Sequence, residues 1–199
     1  MVTVTSQMMS LGTKAPDFAL NNTLDSKTVR LEDFKGKKGV LVFFICNHCP
    51  YVIHIRDTFK SFSEEYMAKG IAIVAINANS TTTHPQDGPA EMRKLAQEKE
   101  WNFPYLFDDS QHVAKSYKAA CTPDFFLFDK DFMLVYRGQF DESRPKNNMP
   151  VTGKDLRFAL NALLNGKPIP PEQRPSSGCN IKWHPGREPT YFLTNERLG

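Results

Sequence analysis

Cys46-Asn47-His48-Cys49-Pro50 places two thiols three residues apart with an imidazole between them. On a helix, residues at that spacing share a face, which brings their Cα atoms close to the separation a disulfide requires. At a helix start the unpaired backbone N–H groups and the macrodipole favour a thiolate. Pro50 suits the first turn, where its missing N–H costs nothing. Cys46, nearer the terminus, is expected to be the exposed nucleophile, and Cys49, one turn inside, the resolving thiol. A protonated His48 tilts Cys46 further toward thiolate. Thiols in such settings have pKa values of about 3.5–7.5, against about 8.5 unperturbed. Stabilising the reduced form makes the disulfide a better oxidant, so this pair is expected to be less reducing than one separated by two uncharged residues.

The same two cysteines are also half of a zinc site on paper. Structural zinc usually takes four ligands in two closely spaced pairs. The other cysteines, Cys121 and Cys179, are far apart, and His184 five residues after Cys179 does not complete a second pair. Four cysteines in 199 residues are too few for a disulfide scaffold. The expected setting is a reducing cytoplasm, where a close cysteine pair is catalytic or metal-binding. For the redox reading no metal and no organic cofactor are expected, because the thiols carry the electrons themselves.

The elements that position these thiols follow from periodicity. Val40 to Ile45 is a continuous β-branched and aromatic run, the pattern of a strand buried on both faces. Pro50 to Lys69 reads as one helix with the apolar stripe Val52, Ile55, Phe59, Phe62 and Tyr66, stopped at Gly70. Ile71 to Ile76 is a second buried strand. The loop Asn77 to Gly88 follows the C-terminal end of that strand, where open α/β sheets place ligand sites, but reads as a solvated connection. Beyond it come a helix near Pro89 to Lys99, a strand at Phe103 to Phe107 and a helix near Gln111 to Ala119. Strands at Phe125 to Phe128 and Met133 to Arg137 form a hairpin, and a last helix covers Gly153 to Leu164.

Upstream, Ala15 to Leu20 suits a short edge strand that pairs with Thr28 to Leu31 as an N-terminal β-hairpin. Strands alternating with helices predict an α/β domain over residues 1–165 with a mostly parallel central sheet. Six of the 14 prolines fall between Pro168 and Pro189. Residues 166–199 are therefore expected to be an irregular arm, packed on the domain or extending from it.

Composition removes several function classes. Lys and Arg total 25 against 22 Asp and Glu, a net +3, with no basic face of the kind nucleic-acid binders carry. The longest apolar run, Val40 to Cys46, is far short of the roughly 18 residues that cross a bilayer. Met1 to Ser10 carries no positive charge and is not expected to be a signal peptide. Neither nucleic acid nor a membrane is an expected partner.

These features together resemble the thioredoxin superfamily, and more narrowly the redoxin thiol–disulfide oxidoreductases, AhpC/TSA-like and related to the TlpA/ResA group. Gly12-Thr13-Lys14-Ala15-Pro16-Asp17-Phe18 is similar to the redoxin opening, and Leu31 to Lys37 to the phrase before the central strand. The Cys-x-x-Cys follows that strand directly, and Thr122-Pro123 stands where the family has its cis-proline. The resemblance implies a thioredoxin-like fold, a cis peptide at Pro123 beside Cys46, and backbone at Thr122 open to an extended substrate. It also implies exchange with protein disulfides and recharging by a separate reductase.

Several positions depart from family patterns. The peroxiredoxin Pro-x-x-x-Thr-x-x-Cys is absent: counting back from Cys46 gives Phe43 and Gly39. A thiol peroxidase is therefore kept as an alternative only. The buried Asp of thioredoxins and the Glu of ResA-like proteins fall on Val40 and Val52, which leaves Asp124, beside Pro123, as the candidate proton acceptor for Cys49. Sco-type copper chaperones resemble this scaffold but place three residues between their cysteines. Copper or zinc binding thus stays a second alternative.

The remaining cysteines have two readings each. Cys121, two residues before Pro123, is an accessory candidate, set against the default of a buried small apolar side chain. Cys179 belongs to the arm. If the arm folds back, Cys179 pairs with Cys121 or relays electrons to Cys46.

Overall fold

The computed structural model describes residues 3–195. In chain order the strands and helices are β1 (Thr3–Thr5), β2 (Ala19–Asn22), β3 (Thr28–Arg30), β4 (Gly39–Phe44), α1 (Pro50–Ile55), α2 (Phe59–Ala68), β5 (Ile71–Asn77) and α3 (Pro89–Glu98). Then follow β6 (Tyr105–Phe107), α4 (His112–Ser116), β7 (Cys121–Thr122), β8 (Asp124–Asp129), β9 (Leu134–Gly138), α5 (Lys154–Leu164), β10 (Ser177–Asn180) and α6 (Thr190–Asn195).

Seven strands form one sheet in the order β3-β2-β6-β5-β4-β8-β9. The expected α/β architecture is present, but parallel pairing is confined to β4 with β5 and β5 with β6. The other four pairs are antiparallel. Only where a helix crosses between neighbouring strands does the chain return in the same direction. The N-terminal hairpin pairs Ala19 with Arg30 and Asn21 with Thr28. β3, not β2, takes the sheet edge.

The sheet divides the core into two layers. Along β4, Leu41, Phe43 and Ile45 enter one cluster with residues of α1, α2, α3 and α5. Val40, Val42 and Phe44 enter the other with α4 and the segment around Phe18. This is the period-2 alternation of a strand buried on both faces.

The stripe read on 50–69 is buried as expected, but the helix is not continuous. A 3₁₀ turn at Arg56–Thr58 separates α1 from α2. The Thr58 hydroxyl donates to the Ile55 carbonyl at 2.7 Å. A side chain that takes a backbone acceptor competes with the helical ladder, and the chain tightens there without losing its apolar face.

The arm carries more structure than its prolines suggest. β10 lies between β1 and β7 in a separate antiparallel sheet, pairing Val4 with Gly178 and Thr122 with Cys179. Side chains in the adjacent segments pin it down. The Gln111 Nε2 donates to the carbonyls of Ala78 and Lys182, and its Oε1 accepts from the His184 N–H. Ile181 and Trp183 enter the second core layer. Proline forbids ladder donors at its own position, yet none of residues 176–184 is proline, and that stretch is free to pair.

Candidate thiol site

β4 ends at Phe44, and the next five residues bend to the first turn of α1. Helix α1 starts at Pro50, with Cys49 as its N-cap and the Ile53 N–H bonded to the Cys49 carbonyl at 2.9 Å. The expectation that Cys46 sits at a helix N-terminus as an exposed thiolate does not hold. Cys46 precedes the helix and is 1 % exposed. Burial, together with the nearby negative charge of Asp87, pushes its thiol well above the usual range.

The four cysteines are all thiols. Cys46 Sγ lies 3.5 Å from the Thr122 hydroxyl and 3.9 Å from His48 Nδ1. Cys49 Sγ lies 3.1 Å from the Thr122 carbonyl, to which its neutral S–H donates. Hydrogen bonds from Cys179 and then Cys46 draw the Cys49 thiol down, while the Cys179 thiol is pushed up by the same contact and by burial. The three sulfurs thus interact as one cluster, in which the Cys49 thiol is the one drawn down. The thiol drawn down is the second cysteine of the motif rather than the first.

That carboxylate is Asp87, fully buried. His48 Nδ1 contacts its Oδ2 at 2.6 Å, Asn79 Nδ2 donates to the same oxygen at 2.9 Å, and the Asn47 N–H donates to Oδ1 at 2.8 Å. Burial alone would raise its pKa, but these bonds override it and hold the carboxyl below the usual carboxylate range. The His48 ring stacks on His84 at 4.9 Å between centroids. The His84 imidazole is pushed down by burial and by the neighbouring His48. Tyr105 closes the floor, its hydroxyl donating to Asn47 Oδ1 at 3.0 Å.

The Thr122–Pro123 peptide is cis, and Thr122 meets both sulfurs of the motif. The Thr122 backbone is not open to an extended partner, as the motif implies. β10 occupies that edge. Gly178 permits the approach, since a Cβ there would stand 2.0 Å from the Thr122 carbonyl oxygen.

Asp124 does not reach Cys49. It lies on the face of β8 opposite Phe125, near the Ala120 N–H at 3.4 Å, and burial raises it to about 7. Cys121 also faces away, packing with Val4 and Ala120. Cys179 is the accessory cysteine that joins the motif. Tyr105 escaped sequence reasoning because it lies in a strand, β6, that carries no motif, and Asp87 and Asn79 because the 77–88 loop reads as solvated. The one available signal was its position after β5, at the carboxyl end of a central strand.

Cys46, His48 and Asp87 offer donor atoms within 4.8 Å of one another, a set that suits a soft or borderline cation. Asp87 already satisfies three hydrogen-bond partners, which an ion would have to displace.

Residues 11–137 match the model of the AhpC/TSA family. The chain belongs to the AhpC/TSA family. An uncharacterised conserved protein from Geobacillus kaustophilus has a crystal structure 52 % identical in sequence, with a TM-score of 0.91 over 94 % of this chain and 98 % of that one. The thiol-disulfide oxidoreductase ResA of Bacillus thuringiensis is 28 % identical across 65 % of this chain and 69 % of its own. The chloroplastic 2-Cys peroxiredoxin BAS1 of Hordeum vulgare is 24 % identical across 89 % and 83 %. Its structural neighbours make the fold thioredoxin-like, and this AhpC/TSA member is an oxidoreductase of the redoxin kind.

Proposed function

We propose that this protein is a thiol–disulfide oxidoreductase that exchanges electrons with protein disulfides through Cys46 and Cys49. The observation that carries this reading is that both motif sulfurs meet Thr122 beside the cis Pro123, Cys46 Sγ at its hydroxyl and Cys49 Sγ at its carbonyl. Loss of its proton leaves the Cys46 sulfur as the attacking thiolate, with the Thr122 hydroxyl able to donate to it. Cys46 attacks one sulfur of a substrate disulfide, the other sulfur leaves as a thiolate, and a mixed disulfide forms. Cys49 then attacks the Cys46 sulfur, closing Cys46–Cys49 and releasing the second substrate thiol. A reductase returns the pair to dithiol, and the reverse sequence oxidises a dithiol partner. Because Cys46 is 1 % exposed, a partner reaches it only once the half-buried Asn47 and His48 are displaced. A cytoplasmic setting belongs to the same proposal.

Reduction of a model protein disulfide, such as insulin, tests it. Wild type is expected to turn over, with Cys46→Ser falling to the uncatalysed level. Equal activity in both would reject the assignment.

Peroxidase chemistry is the second reading, favoured by the AhpC/TSA match and the peroxiredoxin relatives. It requires Cys46 to become a sulfenic acid, and the Pro and Thr of the peroxiredoxin pattern are here Gly39 and Phe43. Stopped-flow mixing with hydrogen peroxide separates the two.

A further inference from the structure

Cys179 stands 130 residues from Cys49 in sequence and beside it in space. Three observations put it there. β10 pairs Cys179 with Thr122, the residue that contacts both motif sulfurs. α1, whose N-cap is Cys49, packs against β10. Gly178 lets the two backbones close to a distance no side chain permits. Successive residues of a strand point to opposite faces, so register alone sends Cys179 toward Thr122 and its neighbour Cys49.

We propose that Cys179 is a third redox thiol, which exchanges with the Cys46–Cys49 bridge to form a Cys49–Cys179 disulfide. The inference rests on the exchange reading of Cys46 and Cys49 and adds an internal partner to it. When Cys46–Cys49 is oxidised, the Cys179 sulfur attacks Cys49. The Cys49–Cys179 bond forms as Cys46–Cys49 breaks, and Cys46 leaves as a thiolate that takes up the proton Cys179 gives. No external oxidant or reductant enters, and the protein's total oxidation state is unchanged.

β10 thus sits on the Thr122 edge as a tethered partner strand and presents a cysteine to the motif as an extended substrate would. The exchange has a structural consequence. Hydrogen bonds hold the arm to β7 while all thiols are reduced, and a covalent bond holds it once Cys49–Cys179 forms. A second link ties the arm to the rim: the Lys182 N–H donates to Asn79 Oδ1, and Asn79 Nδ2 donates to Asp87, the partner of His48.

Peptide mapping tests the relay. Full-length wild type, Cys46→Ser and Cys179→Ser are equilibrated with oxidised glutathione, quenched in acid, alkylated and digested without reduction. The expected wild-type digest contains both a Cys46–Cys49 and a Cys49–Cys179 bridge, and Cys179→Ser retains only the first. Cys46→Ser is expected to close Cys49–Cys179 quantitatively within one chain, with glutathione reduced in step. Wild type that shows Cys46–Cys49 but no Cys49–Cys179 at any glutathione ratio overturns the relay alone. Wild type lacking Cys46–Cys49 overturns the exchange reading instead. Far-ultraviolet circular dichroism matching wild type certifies that Cys46→Ser is folded, and in that state alkylated or glutathionylated Cys49 and Cys179 count against the relay.

Discussion

The three-stranded sheet of β1, β10 and β7 has two faces, and they differ in kind although they share the same few residues of backbone. On one face Thr122 and Cys179 meet Cys46 and Cys49, joined by polar contacts between sulfur, hydroxyl and carbonyl. On the other face Cys121 lies with Val4 and Ala120, and Asp124 is fully buried nearby. Thr122, Cys179 and Cys121 are all buried, and each face holds a cysteine. What separates the faces is company: the Cys49 thiol, beside two other thiols, is drawn down, whereas burial and the neighbouring Asp124 push the lone Cys121 thiol far up. Chemistry follows the face a residue points to more than its nearness to the motif in sequence.

The sharpest way to break that contrast is to pull β10 off β7. Gly178→Val would drive a side chain into the Thr122 carbonyl, since even a Cβ stands 2.0 Å from it. Overpacking typically costs about 1–3 kcal/mol, and backbone that cannot yield takes the upper end, so a loss of about 3 kcal/mol is expected in urea unfolding. The Cys49–Cys179 bridge is expected to vanish with it, while Cys46–Cys49 still forms. An unchanged midpoint and slope would show that the arm is not seated on Thr122.

The second test acts on the opposite face. Burial raises Asp124 to about 7, against about 3.9 for an unfolded Asp. Between those values the folded state keeps a proton that the unfolded state has released, so stability falls as pH rises through about 4 to 7 and then levels off. Asp124→Asn removes that slope. The variant is expected to match wild type near pH 4 and to exceed it by on the order of 4 kcal/mol at pH 8, as read from denaturation midpoints across pH. Disulfide reduction should be unaffected throughout. A variant less stable at pH 8 would place the ionised carboxylate among partners that compensate it.

The differing legibility of these regions has a physical basis. β4, β5 and the stripe of α1 and α2 were readable because each buries large apolar side chains at its own period. The motif at 46–50 was readable because its spacing is local. The placement of Cys179 was not. It depends on a register between β7 and β10 that only the folded backbone defines, and on Gly178, whose role is the absence of a side chain. Asp87 was hidden for a related reason: a carboxylate in a polar loop reads as solvated until Asn47, Asn79 and His48 are seen to surround it. The break at Arg56–Thr58 hinges on one hydroxyl and leaves no trace in the apolar pattern.

The smallest expected effect is the control that gives the comparison its edge. Cys121→Ala removes one sulfur from a fully buried site where Cys121 Sγ lies 3.5 Å from the Pro123 carbonyl oxygen. A free cysteine in such surroundings behaves as a small hydrophobe, and truncating it costs about 1 kcal/mol in transfer and packing. Disulfide reduction, and the yields of both Cys46–Cys49 and Cys49–Cys179, are expected to stay at wild-type levels. The measurement is a side-by-side insulin assay and bridge map of Cys121→Ala and Cys179→Ser. Equal loss of the Cys49–Cys179 bridge in both would mean that Cys121 feeds the sulfur cluster through the sheet, and the division between the two faces would have to be abandoned. Loss in Cys179→Ser alone means that strand register, rather than proximity along the chain to Pro123, selects which buried thiol takes part.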